Sequence, residues 1–384
     1  MKKKIIRITT VPMSLGGLLT GQLKYMSDYY EIIGVASDGD GTLANIGIQE
    51  GIKVFPIEMT RSITPFRDLR AIWQLYIFLK REKPFIVHSH TPKAGTVGMI
   101  AAFLAGVPHR LHTIAGLPLL EAQGGKRKVL DIVEKITYAF ATRIYPNSFG
   151  MMDIILENKF TNKNKLKVLG NGSSNGIDID HFNPSTISET EKENLRKSLG
   201  IDPNDFVYVF VGRMVTDKGV NELVHTFSRL TESIKSIKLI LVGPHEKSLD
   251  PLSEDTETLI ASNPAIKEVG LQKDVRPFFA IADVLTFPSY REGFPNVVLQ
   301  AGAMGIPAIV SDINGCNEIV QEGVNGNIVP AKDEKSLYSS MLQNYLKKQE
   351  GTTFDSNLIR NLIKEKYQRT AIWEAILNEY NSFK

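Results

Sequence analysis

The sequence predicts an α/β protein made of two doubly wound domains, each built on a parallel sheet. Short β-branched apolar runs alternate with helical segments from residue 4 to residue 148. A polar stretch rich in Gly, Ser, Asn and charge then occupies 171–194, and the same alternation begins again at residue 205. Strands that alternate with helices favour parallel sheets with right-handed crossovers, and the polar stretch marks the boundary between the two domains.

The individual strands are predicted from apolar, β-branched runs that end at Gly, Pro or polar residues. In the first half of the chain these runs cover 4–10, 31–37, 53–59, 85–90, 109–116 and 141–148. In the second half they cover 205–213, 237–243, 282–288 and 306–312. Apolar residues at helical spacing predict helices over 66–82, 93–104, 219–232 and 355–380.

Length and composition agree with two soluble domains. The 384 residues exceed one ordinary core, and 42% of them are apolar. The net charge of +3 gives no reason to propose nucleic acid as a partner. A single cysteine, Cys316, excludes an internal disulfide and favours a reducing cytoplasm. It is interpreted as a filler rather than a nucleophile. The longest apolar run after the first strand, 99–107, is far shorter than the ~20 residues of a spanning helix, so no transmembrane segment is predicted.

Polar residues collect at the turns of the stretch 287–320. Glu292 lies in a loop directly after an apolar strand, and Asn296 then follows as the expected N-cap of a helix. An N-cap there would leave the first amides of the helix unpaired, and a phosphate is their natural partner. Those amides belong to Val297, Val298 and Leu299.

This stretch resembles the donor-nucleotide signature of the family-4 retaining glycosyltransferases. The matching positions are Glu292, Gly293, Pro295, Gly305, Pro307, Ser311, Gly315 and Glu318. Gln300 stands where the family pattern has its second Glu. The similarity covers nearly the whole chain. The motifs TPKAG, NSFG and NGSSNGID resemble the subgroup that extends lipid-linked glycans in bacterial capsule and O-antigen assembly.

The resemblance implies the GT-B fold, with two Rossmann-like domains that face each other across a cleft. An acceptor-binding domain would span 1–180 together with a C-terminal helix, 365–384, that crosses back to it. A donor-binding domain would span 181–364. Retention of the anomeric configuration is likewise implied by the family alone. No paired carboxylates of the glycosidase type can be identified in the sequence.

Arg213 and Lys218 flank the turn after the strand 205–213. Two cations and a helix N-terminus suffice to neutralise a diphosphate. Taken alone, however, this segment is more simply interpreted as an exposed turn with two solvated cations. The resemblance implies that Arg213 and Lys218 grip the donor diphosphate and that Glu292 binds the sugar near its anomeric centre. The expected donor-binding residues are Gly16, Gly17, Gly212, Gly293, Phe294, Pro295, Asn296, Val297, Val298 and Gln300.

Gly16 and Gly17 are expected in a turn after the first strand, and the resemblance implies that this turn faces the cleft and lets the diphosphate approach the backbone. Their spacing does not fit G-x-G-x-x-G, because position 18 is Leu. This argues against a dinucleotide-dependent oxidoreductase, even with Asp38 at the end of the second strand. The Asp-Gly-Asp at 38–40 is interpreted as a solvated turn, and no required metal is predicted.

Three residues are candidates for contact with the acceptor, namely His90, Lys93 and His112. His90 is expected to face the cleft. The histidine of the family pattern T-x-H-G is replaced by Ala115, and His112 lies on the opposite strand face, so a buried or supporting role suits His112 better. His88 shares a strand face with His90, but no third ligand at a zinc-like spacing follows.

Lys126, Arg127 and Lys128 form a basic cluster that is either a solvated helix start or a contact with an anionic bilayer on the cytoplasmic face of the inner membrane. The predicted activity is transfer of a hexose or N-acetylhexosamine from a UDP-linked donor to a glycan or polyprenyl-diphosphate-linked acceptor, without a metal. Two alternatives are a nucleotide-sugar 2-epimerase and a non-catalytic nucleotide-sugar binding protein on the same fold.

Overall fold

The computed structural model describes residues 2–60, 64–246 and 250–384, and the side chains of Pro118 and Glu121 are left aside. The chain divides into two compact units. Unit 1 comprises Met1–Asn175 and Arg369–Lys384, and unit 2 comprises Gly176–Gln368. The division expected from the sequence was 1–180 with 365–384, against 181–364.

Unit 1 is built on a parallel sheet of six strands. Its strands are β1 (Lys4–Ile8), β2 (Glu31–Ala36), β3 (Lys53–Pro56), β4 (Ile86–Ser89), β5 (His109–Ile114) and β6 (Arg143–Pro146). They lie in the order β3-β2-β1-β4-β5-β6, and every pair is parallel. This is the order of a doubly wound dinucleotide-type domain.

Helices cover both faces of this sheet. They are α1 (Pro12–Leu18), α2 (Gln22–Ser27), α3 (Thr42–Glu50), α4 (Pro65–Glu82), α5 (Pro92–Leu104), α6 (Gly124–Phe140) and α7 (Phe149–Glu157). The helices α4, α5 and α6 pack on one core, and α1, α2 and α3 pack on a second core. The sheet between these two cores is buried on both faces, which is why its strands read as continuous apolar runs.

Unit 2 repeats this architecture. Its strands are β7 (Phe206–Val211), β8 (Ile237–Val242), β9 (Ile266–Gly270), β10 (Val284–Phe287), β11 (Ala308–Ser311) and β12 (Gly326–Val329), in the order β12-β11-β10-β7-β8-β9. Its helices are α8 (Glu189–Ser198), α9 (Val220–Ser233), α10 (Glu254–Ser262), α11 (Arg276–Ala280), α12 (Asn296–Ala303), α13 (Cys316–Ile319), α14 (Glu334–Gln349) and α15 (Ser356–Tyr367).

The strands β9 and β12 are not predicted by the sequence pattern. Both are edge strands, and their sequences IKEVG and GNIV contain few consecutive apolar residues. An edge strand has a neighbour on one side only and needs less apolar surface, so its sequence pattern is weaker.

The single C-terminal helix predicted over 355–380 is wrong, because Gln368 interrupts it with extended backbone at φ −55° and ψ 135°. The chain resumes as α16 (Arg369–Asn381). In unit 2, α15 packs so closely on α12 that a Cβ at Gly302 would lie 2.6 Å from Ile363. In unit 1, α16 contributes Ile372 and Tyr380 to the core shared with α1, α2 and α3. None of the helices in the described ranges is long and apolar enough to cross a bilayer.

Candidate active site

In unit 2, the loops that follow β7, β10 and β11 meet at the carboxyl ends of three neighbouring strands. The chain leaves β7 toward β8 on one side of the sheet and leaves β10 toward β11 on the other. The order of strands therefore reverses between β7 and β10. Open α/β sheets bind ligands at this kind of switch point, which makes these loops the first candidate for a site.

Lys218 and Glu292 form an ion pair between the first two of these loops. The Lys218 ammonium contacts Oε1 of Glu292, and the two side chains are only 15% and 14% exposed. The Ser289 hydroxyl donates a hydrogen bond of 2.9 Å to the same carboxylate oxygen. Two of the three predicted catalytic side chains therefore lie in one place, although they are 74 residues apart in the sequence.

Arg213 lies in the loop directly after β7 and Gly212. Its guanidinium contacts Oε2 of Glu246 at 2.6 Å, and its side chain is 42% exposed. An ion pair with this exposure contributes little to stability. Arg213 is therefore free to exchange Glu246 for an anionic ligand at small cost.

Sequence reasoning missed a second ion pair that joins the same loops. Arg291 contacts Asp217 at 2.7 Å, and the backbone amide of Tyr290 donates to the carbonyl of Asp217 at 2.9 Å. Asp217 precedes Lys218, and Arg291 precedes Glu292, so adjacency to the two site residues is the signal that could have found this pair. The contacts hold the backbone on both sides of the Lys218–Glu292 pair.

Two glycines in left-handed conformation allow the loops to approach this closely. A Cβ at Gly219 (φ +69°) would lie 2.0 Å from the carbonyl oxygen of Pro288. A Cβ at Gly315 (φ +78°) would lie 2.5 Å from the carbonyl oxygen of Gly293. The Asn314 side-chain amide also donates to the carbonyl of Glu292 at 2.5 Å. The loop after β11 therefore packs directly on the loop that carries Glu292.

The helix after Glu292 begins one residue earlier than the sequence suggests. Pro295 is the N-cap of α12, and Asn296 is its first helical residue. The amides of Val298 and Leu299, expected to be unpaired, donate to the carbonyl of Pro295 at 3.1 and 3.5 Å. Within the described residues, the amides of Asn296 and Val297 are those in this turn without a backbone acceptor.

The other predicted donor-binding residues of this segment differ in how far they are exposed to solvent. Gly293, Phe294 and Pro295 are buried, and the Phe294 ring lies 5.4 Å from that of Tyr367. Gln300 is half-buried on the second turn of α12. The nearby Cys316 is fully buried, and burial raises the pKa of its thiol well above the usual value. Its thiol is therefore protonated at neutral pH, which suits the interpretation as a filler.

In unit 1, the expectation that Gly16 and Gly17 form a turn after the first strand is wrong. Both lie within α1, which begins directly after β1 because Pro12 occupies its first turn. A Cβ at Gly16 would lie 3.1 Å from Ile46, so this glycine serves helix packing. A Cβ at Gly17 would meet no atom of the described structure within 4 Å.

The structure contradicts the expectation that His90 faces an open cleft. His90 is only 3% exposed, and its Nε2 accepts a hydrogen bond of 2.9 Å from the buried Arg7. His88 is also buried and contacts the hydroxyl groups of Tyr380 and Thr113 at 2.6 and 2.8 Å. Burial lowers the pKa of both imidazoles well below the usual value, so they are neutral parts of the unit 1 interior.

His112 is a buried packing residue. Its Nδ1 lies 2.8 Å from the Ser89 hydroxyl, and a Cβ at Gly95 would lie 2.4 Å from its ring. The imidazole therefore fills a space that the glycine of α5 leaves open. Position 115, where the family pattern has its histidine, carries Ala in this chain.

We expect His112 to make unfolding dependent on pH. Burial lowers the pKa of His112 from 6.5 to about 4, so the unfolded chain takes up a proton that the folded chain does not. The contribution of neutral His112 to the free energy of unfolding is fully present above pH 6.5. It is lost as the pH falls to about 4, by up to about 3 kcal/mol. Urea unfolding of His112→Asn across this range is expected to show a shallower loss. The control is His181→Asn, which removes an exposed imidazole. If the free energy of unfolding of His112→Asn fell with pH as steeply as that of wild type, His112 would not be the source of the pH dependence.

Lys93, a predicted acceptor residue, lines a groove in unit 1. This groove of about 420 Å³ runs between α4, α5 and α6, close to the carboxyl ends of β1 and β4. Its lining includes Thr10, Thr91, Ile72, Lys93 and Leu130. The Lys93 ammonium contacts Asp68 at 2.5 Å, and both side chains are mostly buried.

The described residues contain no cluster of three or more His, Cys, Asp or Glu side chains with the geometry of a metal site. The carboxylates of the Asp-Gly-Asp at 38–40 are exposed, and Asp38 accepts a hydrogen bond of 3.2 Å from the amide of Gly41. This segment is an Asx-type turn before α3.

Comparison with known proteins decides the family. Residues 191–367 match the model for glycosyl transferases group 1, and residues 34–172 match the model for a glycosyl transferase 4-like domain. The chain is 32% identical to the capsular polysaccharide biosynthesis glycosyltransferase CapM of Staphylococcus aureus, over 99% of this chain and 97% of the relative. The chain belongs to this glycosyltransferase family. The family and the enzyme class predicted from the sequence are confirmed.

Two further comparisons extend this result. A UDP-Gal:alpha-D-GlcNAc-diphosphoundecaprenol alpha-1,3-galactosyltransferase of Escherichia coli is 28% identical over 89% of both chains. The crystal structure of HepE from Anabaena, in complex with UDP and glucose, superposes with a TM-score of 0.82 over 99% of this chain at 19% identity. At that identity the likeness concerns the fold alone, and it confirms the predicted GT-B class of two Rossmann-like domains.

Proposed function

We propose that this glycosyltransferase moves a hexose or N-acetylhexosamine, with retention, from a UDP-linked donor to a polyprenyl-diphosphate-linked acceptor in bacterial capsule or O-antigen synthesis. The observation that carries the proposal is the Lys218–Glu292 pair at the switch point of unit 2. The capsular function named for the S. aureus relative and the diphosphoundecaprenol acceptor named for the E. coli relative support the substrate classes. The UDP complex of HepE supports the nucleotide.

Unit 2 is the proposed donor-binding domain. The donor diphosphate would lie between Arg213, Lys218 and the free amides of Asn296 and Val297, because these groups supply two positive charges and the positive end of a helix. Glu292 would then exchange its contact with Lys218 for hydroxyl groups of the sugar. Gly212 would border the phosphates, and Gln300 would contact the ribose. The buried Gly293, Phe294 and Pro295 would support this loop rather than contact the ligand.

The proposed chemistry is a front-side displacement at the anomeric carbon. Negative charge develops on the departing diphosphate, and the fixed cations Arg213 and Lys218 stabilise it without reorganising water. A phosphate oxygen of the leaving group would help to deprotonate the incoming hydroxyl. Arg213 and Lys218 supply the positive charge that stabilises the departing diphosphate. We therefore propose that no metal is required.

Unit 1 is the proposed acceptor-binding domain, with Lys93 and its groove as the contact site. His90 and His112 would act as positioning residues, because both are buried. Gly17 is exposed with no described atom within 4 Å of a Cβ there, so a ligand could approach the backbone, whereas Gly16 packs against Ile46. Lys126 and Lys128 are exposed at the start of α6, and we propose that they help to hold the protein on an anionic membrane surface.

The experiment that tests the function measures release of nucleotide diphosphate and sugar transfer with a panel of UDP-, GDP- and ADP-sugars. A bacterial membrane lipid extract serves as the acceptor source, and each reaction is run with and without EDTA. Transfer from one UDP-sugar, unchanged by EDTA and abolished in Glu292→Ala, is the expected result. Turnover that needs a divalent cation would refute metal independence. UDP binding without turnover on any donor would refute the transferase mechanism at this site.

Gln300→Glu is expected to tighten UDP binding. A carboxylate accepts a charge-assisted hydrogen bond from a ribose hydroxyl, and the gain over the amide is about 1 kcal/mol, or roughly five-fold in Kd. Isothermal titration with UDP measures the change, and Gln300→Ala is the matched variant that removes the amide contact. Weaker binding in Gln300→Glu than in wild type would contradict the assigned ribose contact.

A further inference from the structure

The outer face of α4 in unit 1 carries a continuous apolar stripe. Phe66, Leu69, Trp73 and Ile77 are 89%, 63%, 62% and 51% exposed. Steps of three and four residues place these side chains on one side of a helix. The opposite side of α4, with Ala71, Leu75, Phe78 and Leu79, is buried in the core. The helix is therefore apolar on two faces, and within the described residues only the inner face is covered.

The outer face of α6 repeats this pattern. Val129, Ile132 and Ile136 are 46%, 57% and 39% exposed and also follow at steps of three and four residues. Both α4 and α6 pack against α5 on the same side of the unit 1 sheet. The two stripes therefore belong to one surface, which we call the α4/α6 face. It holds seven of the seventeen large apolar side chains that are exposed in the described residues, a concentration that marks an interaction surface.

The charges on the α4/α6 face all have one sign. The exposed charged residues of the two helices are Arg67, Arg70, Lys80, Arg81, Lys126, Lys128 and Lys135. No carboxylate within the described residues of α4 and α6 is exposed. Asp68 is paired with Lys93, Asp131 with Arg127, and Glu82 with both Lys4 and Arg81, while Glu134 is buried.

We infer that the α4/α6 face docks on an anionic lipid bilayer, with Phe66 and Trp73 inserted at the boundary between head groups and acyl chains. An apolar stripe with aromatic residues and a wholly cationic border is the composition of interfacial helices. A second copy of the chain is a poorer occupant, because the exposed cations of one such face would lie against those of the other and repel them. The inference rests on the proposed function in one respect: the proposed acceptor is linked to a lipid, and the enzyme must therefore reach a membrane.

Vesicle co-sedimentation of the full chain tests the inference. Binding is expected to phosphatidylcholine vesicles that contain phosphatidylglycerol, and to be at least about ten-fold weaker without the anionic lipid or in high salt. The double variant Phe66→Ser/Trp73→Ser is expected to bind at least about ten-fold more weakly than wild type. The matched control is Leu271→Ser/Leu358→Ser, which removes two exposed apolar side chains of unit 2. Equal binding of the two double variants would overturn the inference.

Tryptophan fluorescence locates the inserted surface. The chain has two tryptophans, so Trp373→Phe leaves Trp73 as the single indole. On anionic vesicles, the Trp73 emission is expected to shift to shorter wavelength and to be quenched by lipids with brominated acyl chains. An unshifted, unquenched spectrum in the presence of bound vesicles would show that another surface makes the contact and would overturn the inference.

Two further measurements separate this inference from the proposed function and from self-association. Phe66→Ser/Trp73→Ser is expected to retain transfer to a water-soluble, short-chain lipid diphosphate acceptor and to lose transfer to the same acceptor class embedded in vesicles. Vesicle binding by a protein without any transfer would uphold docking and refute the proposed function. Light scattering that shows a dimer abolished by the double variant, with no vesicle binding, would assign the face to a second copy.

Discussion

Lys218→Ala is expected to lower the turnover number by about 100- to 1000-fold, with a much smaller change in the KM for the UDP-sugar. The Lys218 ammonium lies with Glu292 at the switch point of unit 2, and both side chains are largely shielded from water. A fixed charge in such a site stabilises the leaving diphosphate most strongly when negative charge has developed on it. Steady-state kinetics with the UDP-sugar identified by the panel measures the effect.

The matched control is Lys238→Ala. Lys238 is 14% exposed and contacts Asp205 at 3.0 Å in unit 2, so it resembles Lys218 in burial and pairing but belongs to β8. Both variants leave a mostly buried carboxylate without its ammonium partner and are expected to lose similar stability. Only Lys218→Ala is expected to lose turnover, and an equal loss in both variants would mean that Lys218 acts through stability alone.

Gly219→Ala is expected to lower the free energy of unfolding of unit 2 by more than about 3 kcal/mol, which is exceptional for a single methyl group. The added Cβ would lie 2.0 Å from the carbonyl oxygen of Pro288, and this contact involves backbone on both sides. No side-chain rotation relieves it, so the loop after β7 and the loop after β10 must separate. Urea unfolding measures the loss, and UDP titration is expected to show weakened binding as the two loops part.

Gly270→Ala is the control that separates the cost of the steric clash from the cost of the left-handed backbone conformation. Gly270 has φ +66°, close to the +69° of Gly219, but a Cβ there would meet no described atom within 4 Å. The left-handed conformation alone costs an L-residue about 1 kcal/mol, and that is the expected loss in Gly270→Ala. Similar losses in the two variants would contradict the role of the close approach between Gly219 and Pro288.

Much of the fold follows from local sequence pattern. Each predicted strand overlaps a strand of the structure, because residues buried on both faces must be apolar along their whole length. The edge strands β9 and β12 carry a weaker pattern and were missed. In the site, family motifs indicated Lys218 and Glu292. Asp217 and Arg291 were not assigned, because an ion pair between loops distant in the sequence produces no periodic sequence pattern.

Tertiary structure alone decided which groups are accessible. The position of His90 at a strand end predicted exposure, but Arg7, 83 residues earlier, buries it within unit 1. The pattern of 66–82 correctly predicted a helix, yet α4 has two apolar faces, and periodicity does not indicate which of them meets the core. The sequence by itself determined the order of the strongly apolar strands and the chemistry of the turns, because these depend on neighbouring residues. Only packing decided which side chains remain free to meet a ligand or a membrane, because burial depends on residues that are distant in the sequence.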